Sequence, residues 1–210
     1  MMLNISGVRI PDSALAQEVA GLVHGSASSS MFDHSTRVFF FAALMGQKNH
    51  IKFEPELLYC ASMLHYIGLT SRHCSVVDRY EVCGANVAKN FLDRYGLKSE
   101  DVEIVWAAIA LHNIGDIARH MHPIISLLSA GFEMDVLWPV HLASIHPKIF
   151  DSILQSHPYG HRRLGSSSIN SSGCICNRAH EKSIQFANPK VAERSVGFGS
   201  VFDVVRNAAW

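Results

Sequence analysis

Apolar residues recur three and four positions apart through most of the first 155 residues, a period that predicts helices. Residues 1–10 read as an extended lead-in. Pro11-Asp12-Ser13 then starts a helix through Ala14, Leu15, Val19 and Leu22. Gly25 to Ser30 reads as a flexible connector. From Met31 to Gly46 the pattern predicts a buried helix, aromatic at Phe39, Phe40 and Phe41 and closed by its glycine. His34, Arg37, Val38 and Phe41 fall on adjacent turns, so His34 shares the inward face with Phe41.

Pro55 suits the first turn of the next helix, which the pattern carries from about Glu54 to Tyr66 and stops near Gly68. Residues 70–78 read as a polar loop, followed by a helix from Tyr80 to Tyr95 that ends at Gly96. Ser99, with Glu100 and Asp101 behind it, marks a further helix start that runs to His112, because acidic groups favour the positive end of the helix dipole. Pro123 opens another helix through Leu127, Leu128 and Met134, with a break or bend near Gly131. Beyond about residue 156 periodicity fades, and Gly160 to Asn177 is rich in Ser, Gly and Arg. The expectation is an all-α fold: a helical domain over 8–155 and an irregular C-terminal extension over 156–210, with Ala192 to Trp210 able to return to the body.

Composition narrows the class without naming a function. An apolar content of 48% in 210 residues is enough to fill one core. The formal charge of +0 and the scattered Lys and Arg argue against nucleic acid, which needs a concentrated basic footprint. The longest apolar run, Val38 to Met45, is too short to cross a bilayer. No charged region followed by an apolar one marks a signal peptide, so a cytoplasmic protein is expected. Of the cysteines at 60, 74, 83, 174 and 176, Cys60 and Cys83 lie in apolar helical surroundings and read as reduced core residues. The Cys174-Ile175-Cys176 pair reads as incidental.

The chemistry-bearing residues are His34, His65, Tyr66, His112 and Asp135, each on or at the end of a different predicted helix except the adjacent pair. An imidazole buried beside Met63, Leu64 and Ile67 is costly unless a partner satisfies it. Inward-facing ligands from several helices are how a bundle builds a metal site, and imidazole with carboxylate suits zinc, iron or manganese. The bland readings stand beside this one. Taken alone, His65 reads as a satisfied core histidine, His112 as a group settled by a helix dipole, and Asp135 as a surface residue. Arg37 either binds an anion or pairs with Asp33 or Glu56. Asp116, His120 and His122 read as loop caps, and His141, His146, His157 and His161 reflect composition.

The order His, then a His-Asp doublet position (here His65-Tyr66), then a later Asp resembles the HD-domain metal-dependent hydrolases. Ile10-Pro11-Asp12-Ser13, His34-Ser35-Thr36-Arg37, the run from Glu56 to His65, Arg79-Tyr80-Glu81-Val82 with Gly84-Ala85, Ile109 to His112, and Ala130 to Leu137 are similar to the cyanamide hydratase-like branch. The resemblance covers roughly residues 8–140, with an echo in Asn207 to Trp210. It implies an HD-type helical bundle, with His34, His65 and Asp135 as ligands of a divalent metal, zinc first, and His112 as a pocket histidine that orients substrate or moves a proton. It also implies a small substrate, such as cyanamide or a nitrile; Arg37 is the candidate substrate-binding residue, and a homo-oligomer is the expected partner state left open.

One position departs from the family's pattern: Tyr66 stands where the doublet has an aspartate. Either a three-ligand site survives, impaired, with Tyr66 as ligand or wall, or the chain is a catalytically degenerate HD scaffold. A nucleotide or phosphate ester is the alternative substrate, although only Arg37, Arg72 and Arg79 are placed to receive a phosphate.

Overall fold

The structure, a computed structural model, describes residues 4–73, 75, 77–136 and 145–159. Among the described residues the fold is all-α apart from one small hairpin. Strands β1 (Asn4–Ile5) and β2 (Val8–Arg9) pair antiparallel around Ser6 and Gly7, both at positive φ, where glycine is at ease. The helices are α1 (Ala14–Ser26), α2 (Ser29–Lys48), α3 (Pro55–Leu64), α4 (Tyr80–Tyr95), α5 (Ser99–Leu111), α6 (Gly115–Ala118), α7 (Pro123–Val136) and α8 (Pro147–Ser156). A 3-10 turn, Ile67–Leu69, follows α3.

Local chemistry sets the boundaries. Ser13 caps α1 by accepting from the Ala16 N–H, and Ser28 caps α2 by accepting from Met31. That second cap shortens the expected Gly25 to Ser30 connector to two residues. Gly96, at φ 82°, ends α4 in the left-handed conformation as expected. Two glycines do something other than expected. Gly46 does not close α2; a Cβ there would meet Phe53. Gly131 does not bend α7; a Cβ there would come within 2.5 Å of the Val38 carbonyl, so the glycine lets α7 lie directly on α2. Ser99 is the first residue of α5 rather than its cap, and α6 and α8 carried no sequence expectation.

The core forms around α2, in which every residue from His34 to Gly46 is buried. Helix α8 joins it by stacking Phe150 on Phe41 at 5.5 Å. No helix of the described residues is long and apolar enough to cross a membrane. The expected loop residue Cys74, the histidines at 141 and 161, Leu137, and everything from residue 160 onward, including Cys174 and Cys176, lie outside the described residues.

The turn after α3 is held by contact between backbones. A Cβ on Gly68 would collide with the Tyr80 carbonyl oxygen and lie 2.6 Å from the Gly84 amide nitrogen. Neither is the yielding end of a side chain. Gly68→Ala is therefore expected to lower the unfolding free energy by about 1–3 kcal/mol or more. Gly21→Ala, on the open face of α1 with nothing within 4 Å, is expected to raise it by roughly 0.5–1 kcal/mol. Denaturant midpoints of the two variants check the contrast.

Candidate functional site

Four helices deliver the site. His34 lies in the second turn of α2, and Asp135 is the penultimate residue of α7. His65 and His112 are the residues that follow α3 and α5. All four are buried. The last carbonyls of a helix lack intrahelical partners. His65 Nδ1 donates to Ser62 O at 2.6 Å, and His112 Nδ1 donates to Ile109 O at 2.7 Å. Because a carbonyl only accepts, both rings carry their hydrogen on Nδ1 and turn Nε2 into the cluster.

His34 follows the same rule through a carboxylate. Its Nδ1 lies 2.6 Å from Asp135 Oδ2, and its Nε2 lies 3.1 Å from His65 Nε2. Two bare lone pairs at that distance repel, so a hydrogen bond across it needs a proton on one of the two nitrogens. Burial, followed by the neighbouring His112 and His34, holds His65 well below the usual histidine range.

Asp135 is pinned from several sides. Arg37 Nε donates to Oδ1 at 2.7 Å and Arg37 Nη2 to Oδ2 at 2.9 Å. The Tyr159 hydroxyl reaches Oδ1 at 3.1 Å and the Asp135 carbonyl at 3.2 Å. With His34, four donors surround two oxygens whose lone pairs offer about four sites. Burial pushes this carboxyl up, but the hydrogen bonds from His34 and Arg37 outweigh it and hold it at about 2. Arg37 thus pairs with Asp135, not with Asp33 or Glu56; Asp33 meets His157 and Glu56 meets Ser13. Its Nη1 donates to the His157 and Pro158 carbonyls, so the expected substrate-binding arginine is turned to the protein itself.

Tyr66 fills the middle. Its ring stacks on His34 at 4.7 Å and 28°, and lies 4.4 Å from His65 and 5.8 Å from both His112 and Tyr80. Phe132 closes the other side, 4.8 Å from His112. Burial, reinforced by Asp135 and Glu81, raises the Tyr66 phenol and favours its protonated form, whereas a carboxylate in the same place would be charged.

Residues outside the expected set complete the site. Tyr80 sets its hydroxyl 3.4 Å from His112 Nε2. Glu81 is buried; burial pushes its carboxyl up, but the Arg79 hydrogen bonds prevail and lower it, and Asn113 donates to it as well. The Arg79-Tyr80-Glu81 run was visible as a motif, and a charged residue inside an apolar helix start was the signal for Glu81. Nothing in the sequence around Tyr159 marked it.

Glu133, one turn before the end of α7, sits over Gly115. Burial, followed by Asp116, pushes it up to about 7 from 4.5. A raised carboxyl contributes stability that is complete below 4.5 and is lost as pH rises through about 7. Glu133→Gln removes that loss. The variant is expected to gain roughly 3 kcal/mol on the wild type between pH 4 and pH 8. Parallel urea titrations at the two pH values measure the difference.

The donor set fits the implied metal only in part. The nitrogens of His34 and His65 face each other at a spacing two ligands of one ion could adopt, but the Asp135 oxygens are covered by other donors. Among the described residues, no group of three His, Cys, Asp or Glu side chains is set to hold a metal ion. Of the remaining histidines, His122 Nδ1 accepts from the Ile124 amide and His146 Nδ1 from Lys148, each at the start of a helix. Cys60 and Cys83 are buried and form no disulfide, and burial pushes the Cys60 thiol up to about 12. No protein-family model matches this chain, and no curated protein matches its sequence.

Proposed function

We propose that this chain is an HD-class helical protein of the cyanamide hydratase-like plan whose pocket is closed to metal, and that it works as a non-catalytic scaffold. The motif order supports the class. The observation that carries the closed pocket is the state of Asp135, surrounded by donors from His34, Arg37 and Tyr159 while a protonated Tyr66 stacks on His34. A group so occupied has no lone pair to offer a cation.

A second reading has its own support in the inward Nε2 atoms of His34 and His65, 3.1 Å apart. It takes the chain as an impaired hydratase or hydrolase of a small neutral molecule, in which those nitrogens bind the ion. The metal would supply an acidified water, and His112 would hold or pass a proton through Nε2. Turnover of cyanamide, simple nitriles and phosphate esters by zinc-, iron- or manganese-supplemented protein separates the two. The scaffold gives background rates on all three; a rate above background that is lost in His34→Ala and in His65→Ala would establish the hydratase.

A further inference from the structure

The segment that follows α8 lies outside the histidine cluster yet makes specific contacts with the ion pair beneath it. Arg37 Nη1 donates to the carbonyls of His157 at 3.2 Å and Pro158 at 3.0 Å. The Tyr159 ring covers the same guanidinium at 4.1 Å, a cation–π distance, and its hydroxyl reaches Asp135 Oδ1 at 3.1 Å. His157 Nδ1 lies 3.1 Å from Asp33 Oδ1, next to His34 on α2. Three consecutive residues therefore bridge α2 and α7 at the point where Arg37 and Asp135 meet. Phe150 and Ile153, buried against the core, anchor the helix that leads into them.

We infer that residues 157–159 are a strap that closes the Arg37 end of the histidine cluster and governs access to it. These residues add no group to the ring cluster itself. They satisfy the outward half of its ion pair, which holds Arg37 and Asp135 in register and so fixes the His34 ring. Lifting them removes one donor from Oδ1 and two acceptors from Arg37 Nη1. The pair is then free to turn, and the imidazole nitrogens behind it become reachable. The inference stands on these contacts whether or not the pocket takes a cation.

The test is histidine labelling of the full chain with diethyl pyrocarbonate, mapped by peptide mass spectrometry, with the exposed His50 and His120 as internal references. In the wild type, His34, His65 and His112 are expected to be protected. In Tyr159→Ala, labelling of His34 is expected to rise at least about tenfold relative to the references, with helical circular dichroism retained. Tyr159→Phe keeps the ring over Arg37 and removes only the hydroxyl, so a smaller rise is expected; it also serves if the alanine variant fails to fold. Protection in a folded variant equal to that of the wild type would overturn the strap. Failure of the scaffold reading would show separately, as metal-dependent turnover by the wild type.

Discussion

Tyr66→Asp is expected to convert a chain that zinc does not stabilise into one that it does. The substitution removes the ring stacked on His34 and sets a carboxylate beside the Nε2 atoms of His34 and His65. Without metal, the variant loses a buried aromatic side chain, a change that costs about 3–5 kcal/mol in protein cores, and gains a buried charge. Binding to the folded state alone restores stability by mass action. Its melting temperature should therefore lie well below that of the wild type in chelator and rise steeply with zinc. Zinc affinity should improve by roughly 10–100-fold or more. Tyr66→Phe keeps the ring and should show no response to zinc. Equal zinc shifts in the wild type and in Tyr66→Asp would mean that Tyr66 does not close the pocket.

Arg37→Ala should be among the most destabilising single substitutions in the molecule, at about 3–5 kcal/mol. Arg37 and Asp135 are both buried, and removing the cation strands the carboxylate with His34 and the Tyr159 hydroxyl. The sign of the pH effect follows from the depressed carboxyl. Its contribution is present above 3.8 and is lost as pH falls through about 2. In Arg37→Ala the carboxyl loses one of the groups that hold it down, so the acid transition should move to higher pH. Arg37→Met with Asp135→Leu removes both charges and keeps apolar volume. That double variant should recover much of the loss, because a buried ion pair replaced whole often costs little. A double-mutant cycle showing simple additivity would argue against the pairing.

The helices were legible because burial on one face leaves a periodic trace, and α2, with its phenylalanines, leaves a strong one. The glycines were legible as punctuation but not as spacers. Gly131 reads like a break until α2 is known to cross at that point, and only the three-dimensional approach of the Val38 carbonyl decides it. The site was legible as a set of residues: His34, His65, Tyr66, His112 and Asp135 are joined in one buried network. Their hydrogen-bond partners were not. Whether a carboxylate serves a metal or an arginine depends on where Arg37 and Tyr159 point, and residue 159 lies far along the chain in a stretch with no pattern. The histidine tautomers follow from two helix-end carbonyls, which no side-chain motif encodes.

The most direct measurement is the zinc, iron and manganese content of the wild-type chain, purified from metal-supplemented cells and compared with His34→Ala. Each metal is expected to fall far below one ion per chain and to be unchanged by the substitution. One full equivalent in the wild type, lost in His34→Ala, would contradict a cluster sealed by Tyr66 and by the Arg37–Asp135 pair.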